Sequence, residues 1–447
     1  MSFLYILNKT TNKVIVDTKA LSHLICPYDV DVEIYSNKQH ALYFNDLSEF
    51  KNQKLKTPKN HKSEPQAAWL NIDLVDHQTV FETDPMGQVP LWYVENEKFI
   101  AVTSEQKSFS SIKDFKFDTK EDTDYLEVKA HHRIEFDFKN ISRVSPGSRL
   151  VISVLNFEIS CQTHQMPWDQ DHEKTDMTTE EAQDLLYSAL LKSASTIPTD
   201  HAAAFLSGGI DSSVATALCP QADITYNLKT SIGSEEAESK ETANFLKRES
   251  ETIIFNQQNI IQYFSEAVFC NEIYDGLTAE IILQMISLIQ NVPNHKANFI
   301  SGYGADLLFG GMLGHKEYLY VTGVKDTQSL LNRTFWSKEM SPFYYWKERK
   351  RMFHLYWHPE VIQAALKIPL MLQQQAAGTE KYILRSLAVR FNLLTQPLAF
   401  RTKTGMTNGT QMHVLLSQAL QLPNEYSFDL KTKIALEKFH QLFSNKT

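Results

Sequence analysis

Apolar and polar residues alternate with period two through the first ~165 residues, which predicts strands over 3–7, 14–17, 32–35, 41–44 and 68–74. Leu91-Trp92-Tyr93-Val94, a polar Glu95-Asn96-Glu97-Lys98 turn and Phe99-Ile100-Ala101-Val102 predict a hairpin. The stretch 51–65, rich in Lys, Asn and Pro, reads as a solvated loop, and 162–178 as a polar linker. The period then changes. Ala182, Leu185, Leu186, Ala189, Leu190 and Leu191 fall at helical spacing over 179–196, with Thr178 or Thr179 before Glu181 as a cap. Beyond it, short apolar runs at 202–206, 224–228, 252–255 and 298–301 alternate with helical patterns at 212–219, 235–248, 260–269 and 277–289. Strands and helices in this alternation call for a parallel sheet with helices on both faces and ligands at the carboxyl ends of the strands. The last ~135 residues, rich in aromatics and helix formers, read as helical.

A chain of 447 residues exceeds one typical core, so two domains are expected, 1–165 and 175–447. The hydrophobic fraction of 43% is ordinary, and no apolar run approaches the ~20 residues of a membrane span. Met1 to Asn8 is apolar but short and lacks a basic leader, so it reads as a first strand and the protein is expected in the cytoplasm. Cys26, Cys161, Cys219 and Cys270 are widely spaced without a CxxC, which argues against a disulfide framework and a zinc site. The fifteen histidines show no HExxH, and His131-His132 reads as a surface pair. A net charge of −9 gives no support to a nucleic-acid partner.

Two glycine-rich turns carry the candidate chemistry. Leu206-Ser207-Gly208-Gly209-Ile210-Asp211-Ser212-Ser213 joins a strand to a helix: glycines let backbone approach an anion, while serine hydroxyls and helix-start N–H groups donate to it. It lacks the GxxxxGK[ST] spacing of a P-loop. Asp211 would repel an anion unless a divalent cation lay between them, so it reads as a Mg²⁺ ligand. After the 298–301 strand comes Gly302-Tyr303-Gly304-Ala305-Asp306-Leu307-Leu308-Phe309-Gly310-Gly311-Met312, where Asp306 is a second carboxylate able to share that metal.

SGGxDSS resembles the PP-loop of the ATP pyrophosphatases, which cleave ATP to AMP and pyrophosphate. Asp84-Pro85-Met86-Gly87, Val89-Pro90-Leu91-Trp92-Tyr93, Thr103-Ser104-Glu105 and Val144-Ser145-Pro146-Gly147-Ser148 together resemble the amino-terminal domain of asparagine synthetases. That resemblance implies an Ntn-hydrolase-like (α+β) first domain before a PP-loop second domain with a parallel sheet. In those relatives a cysteine after the initiator methionine hydrolyses glutamine; here Ser2 stands there, and a hydroxyl is a far weaker nucleophile, so the glutaminase is expected to be lost. Asparagine synthetases carry glutamate where this chain has Tyr303, and Gly302-Tyr303-Gly304-Ala305-Asp306 is similar to the β-lactam synthetases and carbapenam synthetases. Asn271 to Glu280 (NEIYDGLTAE), Lys338-Glu339-Met340-Ser341-Pro342, and Phe400 to Met406 with Asn408-Gly409 resemble the same branch.

The resemblance implies an ATP- and Mg²⁺-dependent closure of an amide ring on a small amino-acid substrate, with no membrane partner; a homo-oligomer is compatible with it. Leu206, Ser207, Gly208, Gly209, Asp211, Ser212 and Lys381 would hold ATP and pyrophosphate, Asp211 and Asp306 the metal, and Gly302, Gly304 and Glu280 the substrate. Tyr303 would be the base, oriented by Glu339, and Lys403 would stabilise the oxyanion. A phenol of ordinary pKa ~10 does match an attacking amine better than a carboxylate would. A macrolactam-forming peptide cyclase and a catalytically idle binding subunit are the alternative readings.

Overall fold

The computed structural model describes residues 2–11, 13–37, 39–45, 49–51, 54–56, 70–75, 77–118, 138–163, 176–309, 327–373, 379–402 and 406–443. The amino-terminal part builds two six-stranded antiparallel sheets. One runs in the order Ser142–Val144, Leu91–Glu95, Phe99–Thr103, Phe3–Asn8, His40–Phe44, Glu33–Ser36; the other runs Ile159–Thr163, Ser148–Ser153, Gln78–Thr83, Leu70–Val75, Lys54–Lys56, Glu49–Lys51. Phe3, Tyr5 and Leu7 on one sheet meet Leu70, Ile72 and Phe81 on the other in a shared core. The opposite residues Leu4 and Ile6 join a core that reaches the helices of the second part, so the period of two sends alternate residues into different cores. Among the described residues this part holds strands, one five-residue helix, Thr18–Ser22, and a 3-10 turn, Gln106–Ser111.

The second part is a mixed α/β unit on a five-stranded parallel sheet ordered Glu249–Ile254, Ile224–Lys229, Ala202–Phe205, Asn298–Ser301, Arg351–His354. The first three strands step outward in one direction, and the chain then returns to lay the last two on the other side of Ala202–Phe205. Strand order therefore reverses between Ala202–Phe205 and Asn298–Ser301, where α/β sheets open a crevice at the carboxyl ends. Ala202, Ala203 and Ala204 are buried, and their small side chains let helices pack close on both faces. On one face lie Thr179–Ser195 and Pro359–Lys367; on the other lie Ile260–Asn271 and Gly276–Asn291. Thr179–Ser195 starts with the capping box that Thr178 and Glu181 foretell, worth ~1 kcal/mol.

Several elements differ from their sequence patterns. Residues 14–17 form no strand: Val16 makes a single bridge to Ile112, and the Asp17 carboxylate accepts from Ala20 N at 2.9 Å to cap Thr18–Ser22. Within 51–65, Lys51 ends the strand Glu49–Lys51, Lys54–Lys56 pairs with it and with Leu70–Val75, and 52, 53 and 57–65 lie outside the described residues. The helix expected at 235–248 ends at Phe245, and the next strand begins early, at Glu249, where it pairs along the whole of Ile224–Lys229. Among the described residues the regular elements of the carboxy-terminal region are helices except for Arg351–His354, which adds a parallel edge to the sheet. Its apolar pair, Met352 and Phe353, sits behind the charged run 347–351, which hides it in the pattern. No helix among the described residues is long and apolar enough to cross a membrane.

Candidate active site

The crevice at the strand-order reversal is bounded by two turns that touch. The turn after Ala202–Phe205 places Gly209 as the N-cap of the helix Ile210–Leu218, with no side chain capping it. Ser207 Oγ accepts from Gly209 N at 3.2 Å and lies 3.1 Å from Ser212 Oγ, which donates to Gly209 O at 3.2 Å. Ser207 and Ser212 thus sit side by side at the helix start, a geometry suited to an anion. Leu206 O is fixed by Ser239 Oγ at 2.8 Å and Asn227 Nδ2 at 3.3 Å. Gly208 adopts φ +82, and a Cβ there would stand 2.4 Å from Glu238 C, so the loop packs backbone against backbone. At Gly302 a Cβ would stand 2.4 Å from Ser212 N: the second turn lies directly on the first.

Across this contact the carboxylates of Asp211 and Asp306 converge on one cation. Lys381 Nζ lies 2.5 Å from Asp211 Oδ2 and 2.5 Å from Asp306 Oδ1, and the Lys381 side chain is fully buried. Lys381 takes a left-handed conformation, φ 56, just before the helix Tyr382–Arg390. The described residues hold no group of three or more His, Cys, Asp or Glu able to bind a metal. Mg²⁺ commonly takes only one or two carboxylates from protein and completes its shell with water and substrate phosphates, so the Asp211 and Asp306 pair is compatible with that ion.

Tyr303 begins the other half of the site. Its N–H donates to Ser301 Oγ at 3.1 Å, and Ser301 Oγ lies 2.8 Å from His354 Nδ1. Burial pushes the His354 imidazole down to about 3, so it stays neutral. The Tyr303 hydroxyl donates to Glu339 Oε2 at 2.7 Å. Burial raises the Glu339 carboxyl above its usual range, and the Arg333 guanidinium and the hydrogen bonds of Tyr303 and Thr334 act in the opposite sense. Arg333 is itself paired with Asp275, 2.7 Å away. Tyr356 donates from its hydroxyl to Asp211 O at 2.9 Å and so ties the segment after the edge strand to the first glycine turn.

The structure thus brings Ser207, Gly208, Gly209, Asp211, Ser212, Gly302, Tyr303, Asp306, Glu339 and Lys381 to the carboxyl end of one sheet. Gly304, at φ +102, packs against Tyr356. Glu280 is placed differently. It is fully buried within Gly276–Asn291, and its Oε2 is 2.5 Å from Lys431 Nζ in an interior ion pair. Lys403 lies outside the described residues, as do Gly310, Gly311, Met312 and His131-His132. The flanks of Lys403 are anchored beside the phosphate turn. Arg401 Nη1 donates to Gly208 O at 3.2 Å and Glu238 O at 3.1 Å, and Thr410 O accepts from Thr230 Oγ1 at 2.7 Å. Arg385 Nη1 donates to Arg401 O at 2.9 Å and its Nε to Glu380 O at 2.9 Å, linking that segment to Lys381. Arg333, His354 and Tyr356 carry no local motif, and only the packing of distant segments reveals them; Arg401 stands in the Phe400 to Met406 stretch, but its contacts, like those of Arg385, come from the fold.

A strand, a glycine turn leading into a helix, a carboxylate pair and a tyrosine on the next turn thus meet at the strand-order reversal. Residues 196–358 match the asparagine synthase family. The chain is 26% identical over 217 residues to the carboxyethyl-arginine beta-lactam-synthase of Streptomyces clavuligerus, covering 48% of this chain and 41% of that protein. It is 27% identical over 222 residues to the glutamine-hydrolyzing asparagine synthetase of Mesocricetus auratus and 28% to that of Gallus gallus, in each case over 46% of this chain and 39% of the relative. The matches thus span about two fifths of these curated relatives. Among solved structures, the NMN synthetase from Francisella tularensis aligns with 12% identity and a TM-score of 0.26 over 60% of this chain and 97% of that one, a likeness that carries no argument.

Proposed function

We propose that this protein is an ATP- and Mg²⁺-dependent intramolecular amide synthetase of the β-lactam or carbapenam type. It adenylates the carboxylate of a β-amino acid such as carboxymethylproline and closes the ring with release of AMP and pyrophosphate. The observation that carries the reading is Tyr303, hydrogen-bonded to buried Glu339 beside the phosphate turn. Asparagine synthetases and a β-lactam synthase match the chain at similar identity, and the tyrosine at 303 is what supports the second reading over the first.

In the first half-reaction the substrate carboxylate attacks the α-phosphorus of ATP and pyrophosphate leaves. Ser207, Ser212 and the start of Ile210–Leu218 receive the phosphates, and Lys381 adds positive charge there. Asp211 and Asp306 would hold Mg²⁺, which would supply charge neutralisation for those phosphates. In the second half-reaction the internal amine attacks the acyl carbon and AMP departs. Tyr303 Oη takes the amine proton as its own proton passes to Glu339 Oε2; the raised proton affinity of that carboxyl narrows its gap from the phenol. Lys403 stabilises the oxyanion. The amino-terminal part acts as a degenerate glutaminase: Ser2 is fully buried, and its Oγ has no hydrogen-bond partner among the described residues.

The test is pyrophosphate release screened across β-amino acids, carboxymethylproline included, against aspartate with ammonia. The reading expects equal AMP and pyrophosphate with a product one water lighter than the amino acid. Turnover of aspartate and ammonia with none of the β-amino acids would contradict it.

A further inference from the structure

Glu339 sits in a short turn, 338–342, that follows the helix Thr327–Ser337. Hydrogen bonds inside the turn are few: Ser341 N donates to Lys338 O at 3.0 Å and Glu339 N to Ser337 Oγ at 3.4 Å. The turn is instead gripped from outside. Lys338, just before Glu339, takes a left-handed conformation, φ 61, which a residue with a Cβ adopts only when its surroundings hold it there. Its side chain is fully buried, and Nζ donates to Glu272 O at 2.8 Å, with Glu272 Oε2 at 3.6 Å. The same ammonium lies over the Trp92 ring, 5.3 Å from the centroid, and over Phe439 at 5.6 Å.

Trp92 belongs to the amino-terminal hairpin, and two more amino-terminal residues enter the same buried cluster. Arg143 stacks on Trp92 at 5.1 Å. Lys107 donates its backbone N–H to Glu272 Oε1 at 2.7 Å while its Nζ pairs with Glu105 at 2.5 Å. Downstream of Glu339 the grip repeats. Phe343 is buried in the core between the two amino-terminal sheets, and its carbonyl accepts from Cys26 Sγ at 3.1 Å. Asn271 Nδ2 donates to Ser341 O at 3.0 Å. The four residues between Lys338 and Phe343 are therefore pinned at both ends, each time with a contact from the amino-terminal part.

We propose that Lys338 is a positioning residue through which the amino-terminal strands hold Glu339 against the Tyr303 hydroxyl. This rests on Tyr303 and Glu339 being the working pair of the site. It gives the amino-terminal part a role in the amide-forming step that needs no nucleophile at position 2: it builds the back wall of the base.

The experiment places 3-fluorotyrosine at 303 in the full chain and follows its ¹⁹F resonance through a pH titration, with no substrate required. A carboxylate beside a phenol holds the phenol's proton on, so Glu339→Gln lowers the titration midpoint by about one pH unit. Lys338→Met keeps the aliphatic stem and is expected to lower the midpoint by a similar amount, because Glu339 drifts from the hydroxyl. The sign is diagnostic: Lys338 carries little charge where the phenol titrates, so its loss acting only through charge would leave the midpoint unchanged or raise it slightly. An unchanged or raised midpoint in Lys338→Met, with Glu339→Gln lowered, overturns the proposal and leaves the pair intact. No change in Glu339→Gln removes the pair and the reading of the site with it. Should Lys338→Met fail to fold by circular dichroism, Cys26→Ala, which deletes one thiol contact to the same segment, decides: a smaller downward shift supports the proposal, and none overturns it.

Discussion

Tyr303 donates its hydroxyl proton to Glu339 Oε2 across 2.7 Å, and the acceptor is a fully buried carboxyl whose proton burial makes harder to remove. A carboxyl raised in the folded state favours folding only while it stays protonated. Its contribution is full below the ordinary glutamate range of ~4.3 and is lost as pH rises through the folded value. Glu339→Gln should therefore gain in Tm relative to the wild type as pH rises above about 4, while amide formation falls by ~10²-fold or more. A Tm difference that is flat with pH would show that burial does not raise the Glu339 carboxyl.

Lys381 holds Asp211 and Asp306 together through a single ammonium. Lys381→Met leaves two carboxylates facing each other with that cation gone, so the variant should melt lower than the wild type without divalent ions. Added Mg²⁺, which binds the folded pair, should raise the Tm of the variant more than that of the wild type. An equal rise in both would argue that the carboxylates do not share a metal.

Lys338 carries a pH signature of its own. Burial pushes its ammonium down to about 7, with Glu272 raising it and Arg143 and Lys107 lowering it. The unfolded chain keeps that proton up to ~10.4, so the folded state gains stability as pH rises from about 7 toward 10. The Tm of the wild type minus that of Lys338→Met should accordingly climb across this window. A constant difference would place the Lys338 titration elsewhere.

Much of this site is legible in the chain because its parts are local. The phosphate turn and the Tyr303 turn each follow a short buried strand, Ala202–Phe205 and Asn298–Ser301, and glycine, serine and aspartate at fixed offsets announce them. What the pattern misses is set by neighbours far along the chain. Arg351–His354 is a strand because Asn298–Ser301 offers it an edge. Glu280 stands in a motif that matches the β-lactam branch, yet its partner is Lys431, some 150 residues away in sequence, and the pair is interior. Lys381 reads from sequence as a phosphate contact, and the fold adds its bridge between the two aspartates.

The central claim, that Tyr303 is the base of amide formation and has no part in activation, is tested most directly by measuring both half-reactions on Tyr303→Phe. The variant keeps the ring and loses only the hydroxyl that reaches Glu339. The account predicts that substrate-dependent ATP–pyrophosphate exchange persists while amide formation slows by ~10²–10⁴-fold. Ring closure near the wild-type rate in Tyr303→Phe, with Glu339→Gln inactive, would contradict it.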